Sequence, residues 1–136
     1  TALLAHMVSG GNGRGKVIAA ELIPELMAFG QKNVAKYGFI KKGLVEFHSF
    51  NATNGMPEEA PFDRIISAAS GQDLPIAWKE QLKIGGRIVA PIKDAIHLFV
   101  KKSLPAEDAG ENKFEESIYP GFAFVPLINL SEDIQL

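Results

Sequence analysis

The feature that most restricts the fold is a rhythm. Short, nearly continuous apolar runs alternate with segments of helical period, and the last third of the chain drops the helices. Residues 16–21 (KVIAAE) form one such run, as expected of a strand covered on both faces. Pro24 follows at a favourable first helical position. Met27, Gly30, Val34 and Tyr37 then recur at helical spacing, with Leu26 and Phe29 widening the apolar face. Lys32 and Lys36 suit the C-terminal end of that helix, and Gly38 supplies its stop. Residues 44–50 and 63–69 (DRIISAA) predict two further strands, joined by a loop at 51–61 rich in Asn, Gly, Pro and Glu. Residues 74–83 predict a helix ended by Gly85-Gly86, which lead into a strand at 87–92. Strands at 95–102, 114–119 and 122–128 complete the pattern, with 103–113 as a polar hairpin connection. A helix at 1–9, closed by Gly10-Gly11 and the turn signal Asn12-Gly13, opens the chain. Strands separated by helices imply crossovers and a mostly parallel sheet. Strands without helices imply an antiparallel edge. The fold class is therefore α/β, with an antiparallel C-terminal hairpin.

A chain of 136 residues fits one domain, 1–136, and its 46% hydrophobic residues are enough for a core without staples. The absence of Cys excludes disulfides, thiolate nucleophiles and cysteine-ligated zinc, and it is compatible with a cytoplasmic location. A net charge of −2 without a Lys/Arg-rich face points away from a nucleic-acid partner. No apolar run approaches the roughly 20 residues of a membrane span, and the first eight residues lack the basic flank of a signal peptide. His6, His48 and His97 show no metal-ligand spacing, so no metal is expected. The sequence does not fix an oligomeric state.

In open α/β sheets, ligands collect at the carboxyl ends of the strands. Glu21 ends the first visible strand, where a carboxylate either grips a ribose diol or favours the N-terminus of the next helix. Asn51 ends the second; its oxygen either accepts from an adenine amino group or simply makes a turn. Ala52 beside it allows close backbone approach. Ser67, Ala68 and Ala69 end the third, and their small size leaves room over a ligand or permits tight helix packing. No Ser-His-Asp or paired-carboxylate arrangement is present, so no catalytic residue is assigned. Residue pattern alone stops at a nucleotide-cofactor domain.

The segments GKVIAAELIPEL, PEEAPFDRIISAAS, EQLKIGGRIVAPI and FAFVPLI, in this order and spacing, closely resemble the protein-L-isoaspartate O-methyltransferases. The resemblance runs from Thr1 to about Ile128. It implies a Rossmann-like methyltransferase sheet whose first strand and glycine-rich loop are expected upstream of Thr1. It also implies methyl transfer from S-adenosylmethionine to the α-carboxylate of L-isoaspartyl residues in damaged proteins. The resulting ester then cyclises to a succinimide whose hydrolysis partly restores aspartate. By this resemblance Glu21 corresponds to the ribose-binding acid and Leu22 to its neighbour beside the adenine. Asn51 and Ala52 correspond to the family's Asp-Gly pair at the adenine edge. Val125, Pro126 and Leu127 match the segment that borders the peptide, and Ala68 and Ala69 are assigned with them to substrate binding. Asn51 replaces the family's Asp, Lys93 stands where PVG is usual, Ala123 falls where many members carry Arg, and residues 70–74 form a loop one residue longer. The lack of an acid–base constellation fits such a reaction. A carboxylate with a pKa of about 4 is already ionised at neutral pH and needs no general base. Another Rossmann-like methyltransferase with a small-molecule substrate, an NAD-dependent oxidoreductase and a non-catalytic relative are the competing readings. The strand-only C-terminus disfavours the oxidoreductase.

Overall fold

The computed structural model describes residues 1–10, 15–103 and 113–128. The chain divides into two compact units, Thr1–Ala52 and Thr53–Leu136. The Asn12-Gly13 turn and most of the expected hairpin connection at 103–113 lie outside the described residues.

The first unit holds α1 (Ala2–Ser9), β1 (Val17–Glu21), α2 (Pro24–Ala35) and β2 (Val45–Ser49). β1 and β2 pair in parallel, from Val17 opposite Val45 to Glu21 opposite Ser49. Strand alternation turns Val17, Val45 and Phe47 to one face, where they pack with Ala5 of α1 and Val34 of α2. Both helices therefore cover the same face. Glu46 and His48 occupy the other face, where Glu46 Oε2 lies 2.9 Å from Lys16 Nζ and 3.6 Å from His48 Nε2. Helix α2 begins with Pro24 in its first turn, as the sequence predicts. It ends at Ala35, and Gly38 turns the chain three residues later with φ 70°.

The second unit opens with two 3-10 turns, Ala52–Asn54 (whose first residue closes the first unit) and Pro57–Glu59. It continues with β3 (Phe62–Ile66), α3 (Ile76–Glu80), β4 (Leu82–Ile92), β5 (Ala95–Lys102) and β6 (Lys113–Pro120). The strand order is β3-β4-β5-β6, with β3 and β4 parallel and the other two ladders antiparallel. Leu74, Trp78, Leu82, Ile88, Ala90 and Phe99 form its core, flanked by Ile65, Ile92, Phe114 and Leu127. Ile88 is fully enclosed, which stabilises the unit by about 1.5–3 kcal/mol.

Four expectations need correction. The helix at 74–83 shrinks to Ile76–Glu80, and β4 begins at Leu82, before the Gly85-Gly86 pair rather than after it. That pair marks an irregularity in the ladder: Phe62 is opposite Leu82, whereas Arg64 is opposite Arg87. The strand at 63–69 stops at Ile66. The expected strand at 122–128 is irregular apart from one bridge, Pro126 to Ser70. Pro126 has no N–H to extend a ladder, and Phe122, Phe124 and Val125 are exposed instead of entering a core. Among the described residues, no helix is long and apolar enough to cross a membrane.

Candidate functional site

The residues expected to hold a nucleotide cofactor lie in the first unit, at the edge where its two parallel strands end. Glu21 is the last residue of β1 and Ser49, its register partner, the last of β2. Leu22 follows the one, and Asn51 and Ala52 follow the other within three residues. Parallel pairing is what brings these four positions to a common rim. Glu21 is half-buried, and its Oε1 accepts a 3.0 Å hydrogen bond from the Ile23 N–H. Ile23 is the residue that caps the start of α2. The carboxylate thus lies against the positive end of a helix, which fixes its direction and leaves Oε2 with no partner among the described residues. A vicinal diol needs acceptors held in this way, so the geometry fits a ribose. One oxygen of the side chain is thus engaged at the start of the helix, and the other is left available to a ligand's donors. Asn51 and Ala52 are half-buried at the start of the 3-10 turn.

The residues expected to border a peptide lie in the second unit and meet at the carboxyl end of β3. Ser67 continues that strand by donating its N–H to Val89 O (3.0 Å). Its Oγ then folds over the next two residues, donating to Ala69 O (2.8 Å) and accepting from the Ala69 N–H (3.2 Å). This closes a tight turn in which Ala68 is exposed and Ala69 half-buried. One residue on, the Ser70 N–H donates to Val125 O (2.7 Å), and the Leu127 N–H donates to Ser70 O (2.8 Å). The segment of Val125, Pro126 and Leu127 is thus strapped beside Ala68 and Ala69. Leu127 packs on the core while Val125, 69% exposed, faces outward. Phe122, Phe124 and Ile128 extend this apolar surface.

The hairpin tip between β4 and β5, which the sequence reading left without a function, belongs to the same rim. The Lys93 N–H donates to Gly71 O (3.0 Å), and Ser70 Oγ donates to Lys93 O (3.0 Å). Asp94 O accepts from the N–H groups of both Gly121 and Phe122, each at 3.1 Å. The two-residue gap between strands ending at Ile92 and starting at Ala95 is the signal that reveals this tip. No cluster of three or more potential metal ligands occurs among the described residues. His97 pairs with Glu116 (2.6 Å) and lies against Phe99 within the antiparallel ladder.

Comparison with known proteins identifies what this arrangement resembles. A sequence profile described as protein-L-isoaspartate(D-aspartate) O-methyltransferase matches residues 1–132. A protein-L-isoaspartate O-methyltransferase of Staphylothermus marinus is 37% identical over 129 residues, which is 93% of this chain and 55% of the relative. The enzyme of the same name from Methanopyrus kandleri is 37% identical over 114 residues, 84% of this chain and 48% of the relative. The chain therefore spans about half the length of these curated relatives. Among solved structures, a protein-L-isoaspartate O-methyltransferase superposes with a TM-score of 0.73 at 24% identity, covering 91% of this chain and 37% of that one. A Plasmodium falciparum protein described as the same kind of enzyme, in complex with S-adenosyl-L-homocysteine, gives 0.66 at 21% identity, covering 83% and 52%. At these identities the structural likeness establishes the fold alone, an α/β Rossmann-like architecture.

Proposed function

We propose that this chain, which belongs to the protein-L-isoaspartate(D-aspartate) O-methyltransferase family, provides the cofactor grip and the peptide border of a protein-repair methyltransferase. The reaction is methyl transfer from S-adenosylmethionine to the α-carboxylate of an L-isoaspartyl residue. The observation that carries this reading is the position of Glu21: it ends a parallel strand with one carboxylate oxygen braced on Ile23 N–H and the other without a partner among the described residues. Residues 1–136 are read as a single methyltransferase domain.

When bound, the sulfonium donor supplies an already activated methyl group. A carboxylate oxygen of the peptide forms the new O–C bond while the S–C bond breaks, and the electron pair stays on sulfur. No proton moves, so no general base is required. The chain's residues position the two partners. Glu21 accepts from the ribose hydroxyls. Leu22, Asn51 and Ala52 border the adenine, with the Asn51 oxygen accepting from its amino group. Ala68 and Ala69 leave room for the peptide backbone, and Val125, Pro126 and Leu127 lie along it. Alignment of this kind lowers the barrier by up to roughly 7–11 kcal/mol in favourable cases. The partners are isoaspartyl-containing proteins and peptides. A net charge of −2 gives no support to a nucleic-acid partner, and a chain without Cys suits the cytoplasm.

The test is incubation of the full chain with methyl-labelled S-adenosylmethionine and an isoaspartyl peptide, beside the same peptide with ordinary aspartate. A base-labile methyl ester that releases methanol from the first peptide alone supports the proposal. Label on both peptides, on neither, or in a base-stable product refutes it.

A further inference from the structure

Lys93 is the one non-glycine residue with positive φ among the described residues, at 55°. A side chain with a Cβ is disfavoured there, and glycine is the ordinary occupant. The conformation persists because neighbouring bonds over-determine it. Both peptide groups of Lys93 are bonded to the Ser70 and Gly71 segment, and the carbonyl of the next residue, Asp94, holds Gly121 and Phe122. Ser70 in turn holds Val125 and Leu127. The lysine therefore stands on a rigid mount that is hydrogen-bonded into the same assembly as the peptide-bordering segment, all within the second unit. Its side chain is exposed, and the ammonium has no ion pair or hydrogen bond to any described residue. The acids of β6 lie further along the ladder, opposite Phe99 and Val100, and are engaged there: Glu116 with His97 and Glu115 with Lys102. Asp94, on the same turn, is the nearest acid in sequence and is itself exposed.

We propose that Lys93 is a specificity-determining residue whose ammonium favours isoaspartyl peptides carrying a further carboxylate beside the damaged residue. This inference rests on the reading that the peptide lies along Val125, Pro126 and Leu127. The carboxylate recognised is a flanking one, because an ammonium paired with the methyl-accepting oxygen would lower its nucleophilicity. An exposed cation acts weakly, so the preference is about two- to fivefold at low salt and shrinks as ionic strength rises.

Two fluorescein-labelled isoaspartyl peptides, one with Glu and one with Gln on each side of the isoaspartate, test this. Binding to the full chain is read by anisotropy in the presence of S-adenosylhomocysteine, and methyl transfer is followed separately. The native chain binds the Glu peptide about two- to fivefold tighter. Lys93→Gln and Lys93→Gly, the second of which suits the backbone, remove the preference; Lys93→Arg keeps it. An equal preference in the native chain and Lys93→Gln, or none in the native chain, overturns the proposal. If the preference tracks position 93 but no methyl is transferred, the proposed reaction fails and the charge-reading role stands. If methyl is transferred with no such preference, the reverse holds. If neither peptide binds, both fall.

Discussion

Lys101 is a charge inside the second unit, only 5% exposed, and no carboxylate among the described residues pairs with it. Its Nζ donates to the carbonyls of Lys79 (2.9 Å), Leu82 (2.9 Å) and, at longer range, Glu80 (3.4 Å), with the Phe114 ring 6.0 Å away. These carbonyls lie where α3 gives way to β4, so one ammonium completes the end of the helix and fixes the entry to the strand. Lys101→Met keeps the length of the side chain and removes the donor. The Glu80 carbonyl belongs to an exposed residue and regains water. The Leu82 carbonyl belongs to a buried one and does not, and Lys79 is intermediate. Leaving a buried acceptor unpaired costs about 1–3 kcal/mol, so one full and one partial loss give a destabilisation of about 2–3 kcal/mol. Removing a buried ammonium also relieves its desolvation, which pulls towards the lower figure. The single tryptophan, Trp78, is 6% exposed and sits in the same core, so urea unfolding followed by its fluorescence reports on this unit. With a slope of about 1.2 kcal/mol per M, the midpoint falls by roughly 2 M. Lys83→Met is the comparison, since it breaks only an exposed pair with Asp63 and shifts the midpoint by less than about 1 M. Equal shifts for the two variants would refute the claim that Lys101 holds the junction.

Gly55 has φ 66°, and a Cβ there would collide with the side-chain amide of Gln81, whose Oε1 accepts from Met56 N–H (2.7 Å). Gly55→Ala therefore destabilises by about 1–3 kcal/mol in the same urea assay, through strain and loss of that bond. The Glu115 carboxyl is held below its ordinary value near 4.5 by a hydrogen bond from the Lys102 ammonium and then by its charge. A lowered folded pKa means that the unfolded chain binds more protons in this window, so the contribution is complete above 4.5 and is lost as pH falls through the folded value. Acid titration of the urea midpoint is expected to fall more shallowly in Lys102→Met than in the native chain.

How far the fold could be read from the sequence depended on whether a local signal had a single physical cause. Ala95–Lys102 was expected to the residue because the polar pair Lys93-Asp94 bounds it on one side and the lysine pair Lys101-Lys102 closes it on the other. Leu74, Trp78 and Leu82 misled for a definite reason. Their spacing of four imitates a helix, but only Trp78 lies in one; all three are buried because a short helix and the start of a strand point into the same core. Apolar residues at 122–128 looked like a strand for the same kind of reason, although their exposure suits a surface that meets a partner. Glu21 was legible as a strand end and Asn51 as a residue close to one, whereas their placement at one rim required the register of β1 and β2, in which Glu21 is opposite Ser49. The strapping of Val125 and Leu127 to Ser70, and of Lys93 to Gly71, is made by backbone groups that every residue carries. No residue pattern encodes it.

Calorimetry of S-adenosylhomocysteine binding to the full chain and to Glu21→Gln measures the cofactor grip directly. The native chain is expected to bind. The variant, which keeps an acceptor but loses the charge that strengthens bonds from the ribose hydroxyls, is expected to bind about tenfold to a hundredfold more weakly. Equal affinity in the two proteins, or no binding by the native chain, contradicts the placement of the nucleoside at the end of β1.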